Sequence, residues 1–202
     1  KDSITFLNTA SKKDVDKFCE NVFDVIDTCI KLSEVKTIDS QVYESKFSSV
    51  APKIEDKVDF LFLKRCEKIF SNIKKSQCYV GVCHGDLTLS NLLVSSSVNV
   101  CLIDFLDSYL ESPIQDIVKI RQDTKYYWSQ SLYSGEFDKK RMSILMDYMD
   151  NLIVRKYEKF EFYNNLYRPT QLLNLLRLLP YIRNEQKFAS VLQLCRGILD
   201  EY

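Results

Sequence analysis

Cys83-His84-Gly85-Asp86-Leu87-Thr88-Leu89-Ser90-Asn91-Leu92-Leu93 holds the only histidine of a 202-residue chain. A lone His, a Gly, an Asp and an Asn lie there between two apolar runs. Residue types alone leave two readings open. Gly, Asp, Ser and Asn are what turns use, for steric and hydrogen-bonding reasons. The same residues at a strand end can form an active site, because loops on a rigid scaffold carry much of the chemistry of folded proteins.

The flanks favour a loop between strands. Cys78-Tyr79-Val80-Gly81-Val82-Cys83 is β-prone and too short for an ordinary helix. Leu92-Leu93-Val94 and Val100-Cys101-Leu102-Ile103 read as two short strands around the polar turn Ser95 to Asn99. Outside this island the period is helical. Val15, Phe18, Cys19, Val22, Phe23, Ile26, Cys29 and Ile30 make one stripe, with Ser11 and Asp14 spaced as a capping start. Val58, Leu61, Phe62, Cys66, Ile69, Phe70 and Ile73 make another. Residues 31–53, with Ser and Asp clusters and a Pro, read as a connection that includes a short helix. Beyond Pro113, helices are expected from Ile114, from about Phe137 to Tyr157, from Thr170 to a stop or kink at Pro180, and from about Asn184 to Leu199.

Composition narrows the function classes. Lys plus Arg and Asp plus Glu stand at 28 each, so there is no bulk electrostatic case for nucleic acid or an anionic membrane. Seven scattered cysteines, none spaced as CxxC, disfavour a zinc site or a disulfide framework and point to a reducing cytoplasm. No apolar run reaches the roughly 18 to 20 residues that span a bilayer. The start KDSITFLNTASKKD is not a signal peptide. Because it begins with Lys rather than Met, an excised fragment or a processed product is expected.

Asp86, Asn91 and Asp104 recur in the order needed for phosphoryl transfer. That reaction asks for a carboxylate to orient or accept the proton of an attacking hydroxyl, and for hard oxygen ligands to hold magnesium against the phosphates. Asp86 suits the first task; Asn91, a neutral ligand, and Asp104, an anionic one, suit the second.

These residues resemble the aminoglycoside phosphotransferase and choline kinase family, small-molecule kinases that share the protein-kinase fold. The likeness rests on VCHGDLTLSNLLV at 82–94, on LIDFLD at 102–107, and on ESPIQDIVKI, where an acid follows a Pro at a helix start. The resemblance implies a mainly α fold with a small β-hairpin (α+β), the larger C-terminal lobe of a kinase-like protein. Residues 1–10 would then be the tail of an interlobe connection, 11–75 helical, 76–112 the catalytic loop and hairpin, and 113–202 helical. It implies Asp86 as catalytic base, His84 beside it in support of the loop, Asn91 and Asp104 as ligands of Mg2+ and so of ATP, and Asp116 as a structural carboxylate below the loop. The expected activity is transfer of the γ-phosphate to a hydroxyl of a sugar, amino sugar or amino alcohol.

Asp107, Glu111 and Asp123 are candidate pocket acids for a cationic acceptor, and Tyr126-Tyr127-Trp128 could form a cation–π box or simply pack. Gly81, Gly85, Gly135 and Gly197 cannot make a nucleotide-covering Gly-rich loop, and no β-rich segment with a central Lys precedes the first helix. Two hypotheses follow. Either the lobe acts with an N-terminal lobe missing from this chain, or it stands alone as a metal-binding or protein-interaction module with little or no transfer activity.

Overall fold

The computed structural model describes residues 1–202. The chain forms eight α-helices and four short strands. It divides into two compact units, 1–35 with 79–160 and 36–78 with 161–202. Each unit draws on two separate stretches of sequence, so no Pro/Gly-rich linker marks the division.

The first unit holds the polar island. Helix α1 (Ser3–Thr9) starts at Asp2, whose carboxylate accepts the Thr5 N–H at 2.8 Å. Helix α2 (Lys12–Leu32) starts at Ser11 with the reciprocal Ser11–Asp14 box that the spacing predicts. Its apolar stripe, Val15, Phe18, Val22 and Ile26, is buried. Strands β3 (Leu92–Val94) and β4 (Val100–Leu102) pair antiparallel, Leu92 opposite Leu102 and Val94 opposite Val100, so the expected hairpin is present. Its edge is extended by a bridge from Asp2 to Leu93, and Val94 N–H donates to Lys1 O at 2.7 Å.

Helix α5 (Pro113–Tyr126) has Pro113 in its first turn and Ser112 as N-cap. Helix α6 (Lys139–Tyr157) packs on it and buries Met142, Met146, Met149 and Ile153. Arg121 also ties the pair, donating Nε and Nη2 to the two oxygens of Asp150 at 2.8 and 2.7 Å. Burial opposes that carboxylate's charge, but the Arg121 bonds prevail and hold Asp150 below the usual range.

The second unit is helical and departs from expectation at two places. Residues 31–53, read as a connection, contain strand β1 (Glu34–Ile38) and the eleven-residue helix α3 (Ser40–Val50); β1 pairs with β2 (Ser76–Val80). The polar residues that suggested a loop are the Asp39 cap and the solvent side of α3, while Tyr43, Phe47 and Val50 face inward at i, i+4 and i+7. Helix α7 (Glu161–Leu178) starts nine residues before Thr170 and carries Pro169 in its interior. Its apolar surroundings override the local cost of that Pro. Leu179–Tyr181 then tightens into a 3-10 turn at Pro180. Helices α4 (Phe60–Ser71) and α8 (Glu185–Asp200) complete the unit, with Tyr43 stacked on Phe70 and its hydroxyl 2.8 Å from Thr170 Oγ1. No helix is long and apolar enough to cross a membrane.

Candidate active site

The loop 83–91 departs from the hairpin β3–β4 and is folded against the segment that follows β4. Gly85 has φ +80°, and a Cβ there would stand 1.9 Å from the carbonyl oxygen of Leu106. Only glycine allows that approach. It lets residues 103–106 lie across the loop and brings the neighbourhood of Asp104 to that of Asp86.

His84 closes the clasp. Its ring Nε2–H donates to Ile103 O at 2.8 Å, its ring stacks on Phe105 at 4.3 Å between centroids, and its backbone carbonyl accepts the Leu106 N–H at 3.0 Å. With the proton on Nε2, Nδ1 is left to accept the Asp86 N–H at 3.3 Å. Both ring nitrogens are engaged, and burial pushes the imidazole pKa below its ordinary value. The ring is therefore a neutral clasp between the loop and residues 103–105, with no nitrogen left to take a proton from an acceptor beside Asp86.

Helix α5 holds the loop from behind at three points. Asp116 Oδ2 accepts His84 N–H at 2.8 Å, and Oδ1 accepts Gly85 N–H at 2.9 Å. Lys119 Nζ lies 2.9 Å from Asp86 Oδ1. Asp123 Oδ2 accepts Leu89 N–H at 2.6 Å and the Ser129 hydroxyl at 3.0 Å, while Oδ1 accepts Ser129 N–H at 2.5 Å. Positions 116, 119 and 123 stand at i, i+3 and i+7, which puts all three on one helix face. Burial pushes the Asp116 carboxyl up to about 7 and that of Asp123 up to about 6, against the lowering effect of the N–H groups they accept.

Asp86 is fixed at both oxygens. Asn91 Nδ2 donates to Asp86 Oδ2 at 2.9 Å and to its backbone carbonyl at 2.8 Å, opposite the Lys119 contact on Oδ1. The Asp86 side chain remains a quarter exposed. The remaining carboxylate lone pairs can meet a hydroxyl from solvent.

With its amide nitrogen turned to Asp86, Asn91 keeps Oδ1 as a hard oxygen donor. Asp104 is exposed, has no hydrogen-bond or ion-pair partner, and sits at φ +58°, a left-handed conformation that Asp tolerates better than most residues. The backbone joins the two, since Ile103 N–H donates to Asn91 O at 3.1 Å. No group of three or more His, Cys, Asp or Glu side chains is poised for a metal. One amide oxygen and one carboxylate nevertheless suit Mg2+, which keeps several waters and takes the rest of its shell from phosphate oxygens.

The three acids proposed for an acceptor pocket separate. Asp123, 1% exposed and wholly engaged with Leu89 and Ser129, is corrected to a loop anchor. Glu111 is turned inward, accepting Ser108 N–H at 2.5 Å and the Cys83 thiol at 3.3 Å. Asp107 alone is exposed and unpaired. Sequence reading missed Lys119 altogether. Its signal was available, as a basic residue between two acids at i, i+3 and i+7 on a helix flanked by apolar residues. A cavity of about 680 Å³ lies in the second unit, lined by Arg65, Lys68, Lys74 and Lys75 over Ile69 and Leu199; none of the loop residues lines it.

No curated protein matches the chain. A family model does, over residues 4–121, more than half of the chain and all of the loop, the hairpin and the first turns of α5. That family is kinase-like and related to the one that the motifs resemble, without being specifically the aminoglycoside phosphotransferase or choline kinase branch. With its clasped loop, its fixed Asp86 and this match, the chain belongs to the ecdysteroid kinase-like family.

Proposed function

We propose that the protein transfers the γ-phosphoryl group of ATP to a hydroxyl of a small molecule, with Asp86 as the base. The observation that carries this reading is the Asp86 carboxylate, fixed at both oxygens by Asn91 and Lys119 yet still open to solvent. Such orientation is most of what protein supplies to phosphoryl transfer.

In this mechanism the acceptor hydroxyl approaches Asp86, and its oxygen lone pair forms the new O–P bond. The bond from the γ-phosphorus to the bridging oxygen breaks, its electron pair leaving with ADP, and the hydroxyl proton passes to Asp86. Asn91 Oδ1 and the Asp104 carboxylate would hold Mg2+ where the phosphates lie. When bound, that ion offsets negative charge on the transferred group. Asp116, Asp123 and His84 take no proton from the acceptor; they hold the loop. The lid and the lysine that pair with the α/β-phosphates belong, in this reading, to an N-terminal lobe, because none of Gly81, Gly85, Gly135 and Gly197 lies in a Gly-rich loop.

The family's description names an ecdysteroid, and sugars, amino sugars and amino alcohols fit the same chemistry. Asp107 is the acid left to meet a cationic group on such an acceptor. Full-length protein given Mg-ATP and a panel of these hydroxyl compounds is expected to form ADP and a phosphorylated product. Asp86→Asn should lower kcat by about 10²–10⁴-fold, with circular dichroism unchanged. Transfer by this variant at the wild-type rate would remove Asp86 from the mechanism.

A further inference from the structure

We infer that Lys119 is a positioning residue for the transfer reaction, which sets the orientation of the Asp86 carboxylate from behind the loop. This deepens the proposed function and rests on it.

The three contacts from α5 to the loop differ in kind. Asp116 and Asp123 accept backbone N–H groups and so shape the loop itself. Lys119 reaches past the backbone and meets a side-chain oxygen, the one of Asp86 that Asn91 does not hold. Asn91 alone would leave the carboxylate free to rotate about its own axis; a second partner on the other oxygen stops that rotation. Misplacement of a reacting group by about 1 Å can cost roughly 10²-fold in rate.

Stability gives no reason for a lysine here. Its residue is 8% exposed, and lysine is rarely so buried unless paired. Desolvating an ammonium costs several kcal/mol, and apolar replacements of buried ion pairs are often neutral or stabilising. A methionine of similar length would pack at position 119 without that cost. What it would not supply is a charge-assisted donor aimed at Oδ1.

The test compares Lys119→Met, Lys119→Arg and Asp86→Asn with wild type in the full-length protein, using Mg-ATP and the acceptor that the panel yields. Lys119→Met should lose about 10- to 100-fold in kcat, with KM for Mg-ATP within about threefold and thermal stability equal or higher. Lys119→Arg, which keeps the charge-assisted donor, should recover part of the lost kcat. Wild-type kcat in Lys119→Met, while Asp86→Asn is inactive, overturns the assignment and leaves the kinase reading standing. So does an equal loss in the Met and Arg variants accompanied by a lowered unfolding temperature, which marks a merely structural role. If wild type and Asp86→Asn are alike in transferring nothing, the kinase reading fails and the Lys119 assignment falls with it.

Discussion

Helices α2 and α5 belong to the same unit and differ in what they bury. On α2, Val15, Phe18, Val22 and Ile26 face inward and the acids and lysines face out. On α5 every residue from Pro113 to Thr124 is buried, and Gln115, Asp116, Lys119, Arg121, Gln122, Asp123 and Thr124 are polar. Burying apolar surface is favourable by itself, so α2 needs only a stripe. Burying a polar group costs free energy that a partner offsets, and the partners of Asp116, Lys119 and Asp123 are the atoms of the candidate site. Thus α2 builds the fold, while α5 also builds the loop. The difference can be broken or sharpened by substitution on each helix.

The largest contrast is between Phe18→Ala and Asp123→Ala. Phe18 is fully buried against Phe6, at 5.8 Å between rings, and its loss should cost about 3–5 kcal/mol in denaturant unfolding. The protein that remains folded should keep its kcat. Asp123→Ala leaves three buried donors of Leu89 and Ser129 without an acceptor, at about 1–3 kcal/mol each at most. Its kcat should fall at least tenfold as the loop loosens, an order of magnitude set by positioning. Equal kcat losses in the two variants would mean that α5 has no special hold on the site.

A smaller effect concerns pH. The Asp116 and Asp123 carboxyls keep their protons in the folded protein up to about 7 and about 6, whereas ordinary carboxyls in the unfolded chain release them near 3.8. The folded state therefore binds more protons over this window, and stability falls as pH rises. Their contribution is complete below about pH 4 and is lost as pH rises through 6 and 7. Thermal scans between pH 5 and 8 should show a falling unfolding temperature, with a shallower slope in Asp116→Asn. An identical slope in that variant would exclude Asp116 as a source.

The smallest effect is at the start of α2. Ser11→Ala removes the side-chain acceptor of the Asp14 N–H, worth about 1 kcal/mol. Unfolding in urea should shift by that amount while kcat stays unchanged. A kcat loss would show that α2, too, reports to the loop.

Much of the hairpin and several helices were legible because local rules decide them. Ser11 and Asp14 cap α2 through bonds three residues apart, and Leu92 to Val94 and Val100 to Leu102 alternate around a polar turn. Helix α3 was legible only as a short helix because its apolar positions are few and Ser-rich neighbours surround them, and β1, with four of its five residues exposed, showed no apolar alternation at all. In the site, the spacing of Asp86 and Asn91 marked the pair, while the bond that joins them over five positions came only from the structure. Asp123 was misread because acids are usually solvated, and only the loop folded upon α5 gives its carboxylate three donors.

The sequence by itself determined most of the helices and the hairpin and marked Asp86, Asn91 and Asp104, since caps, periodicity and short spacings act within a few positions. Only the tertiary structure decided their duties. His84 became a clasp because residues 103–106 cross Gly85. Lys119 became a partner of Asp86 because α5, 33 positions on, lies behind the loop. Contacts over such separations follow from how buried faces pack and how each buried polar atom finds a partner, and no short pattern encodes that.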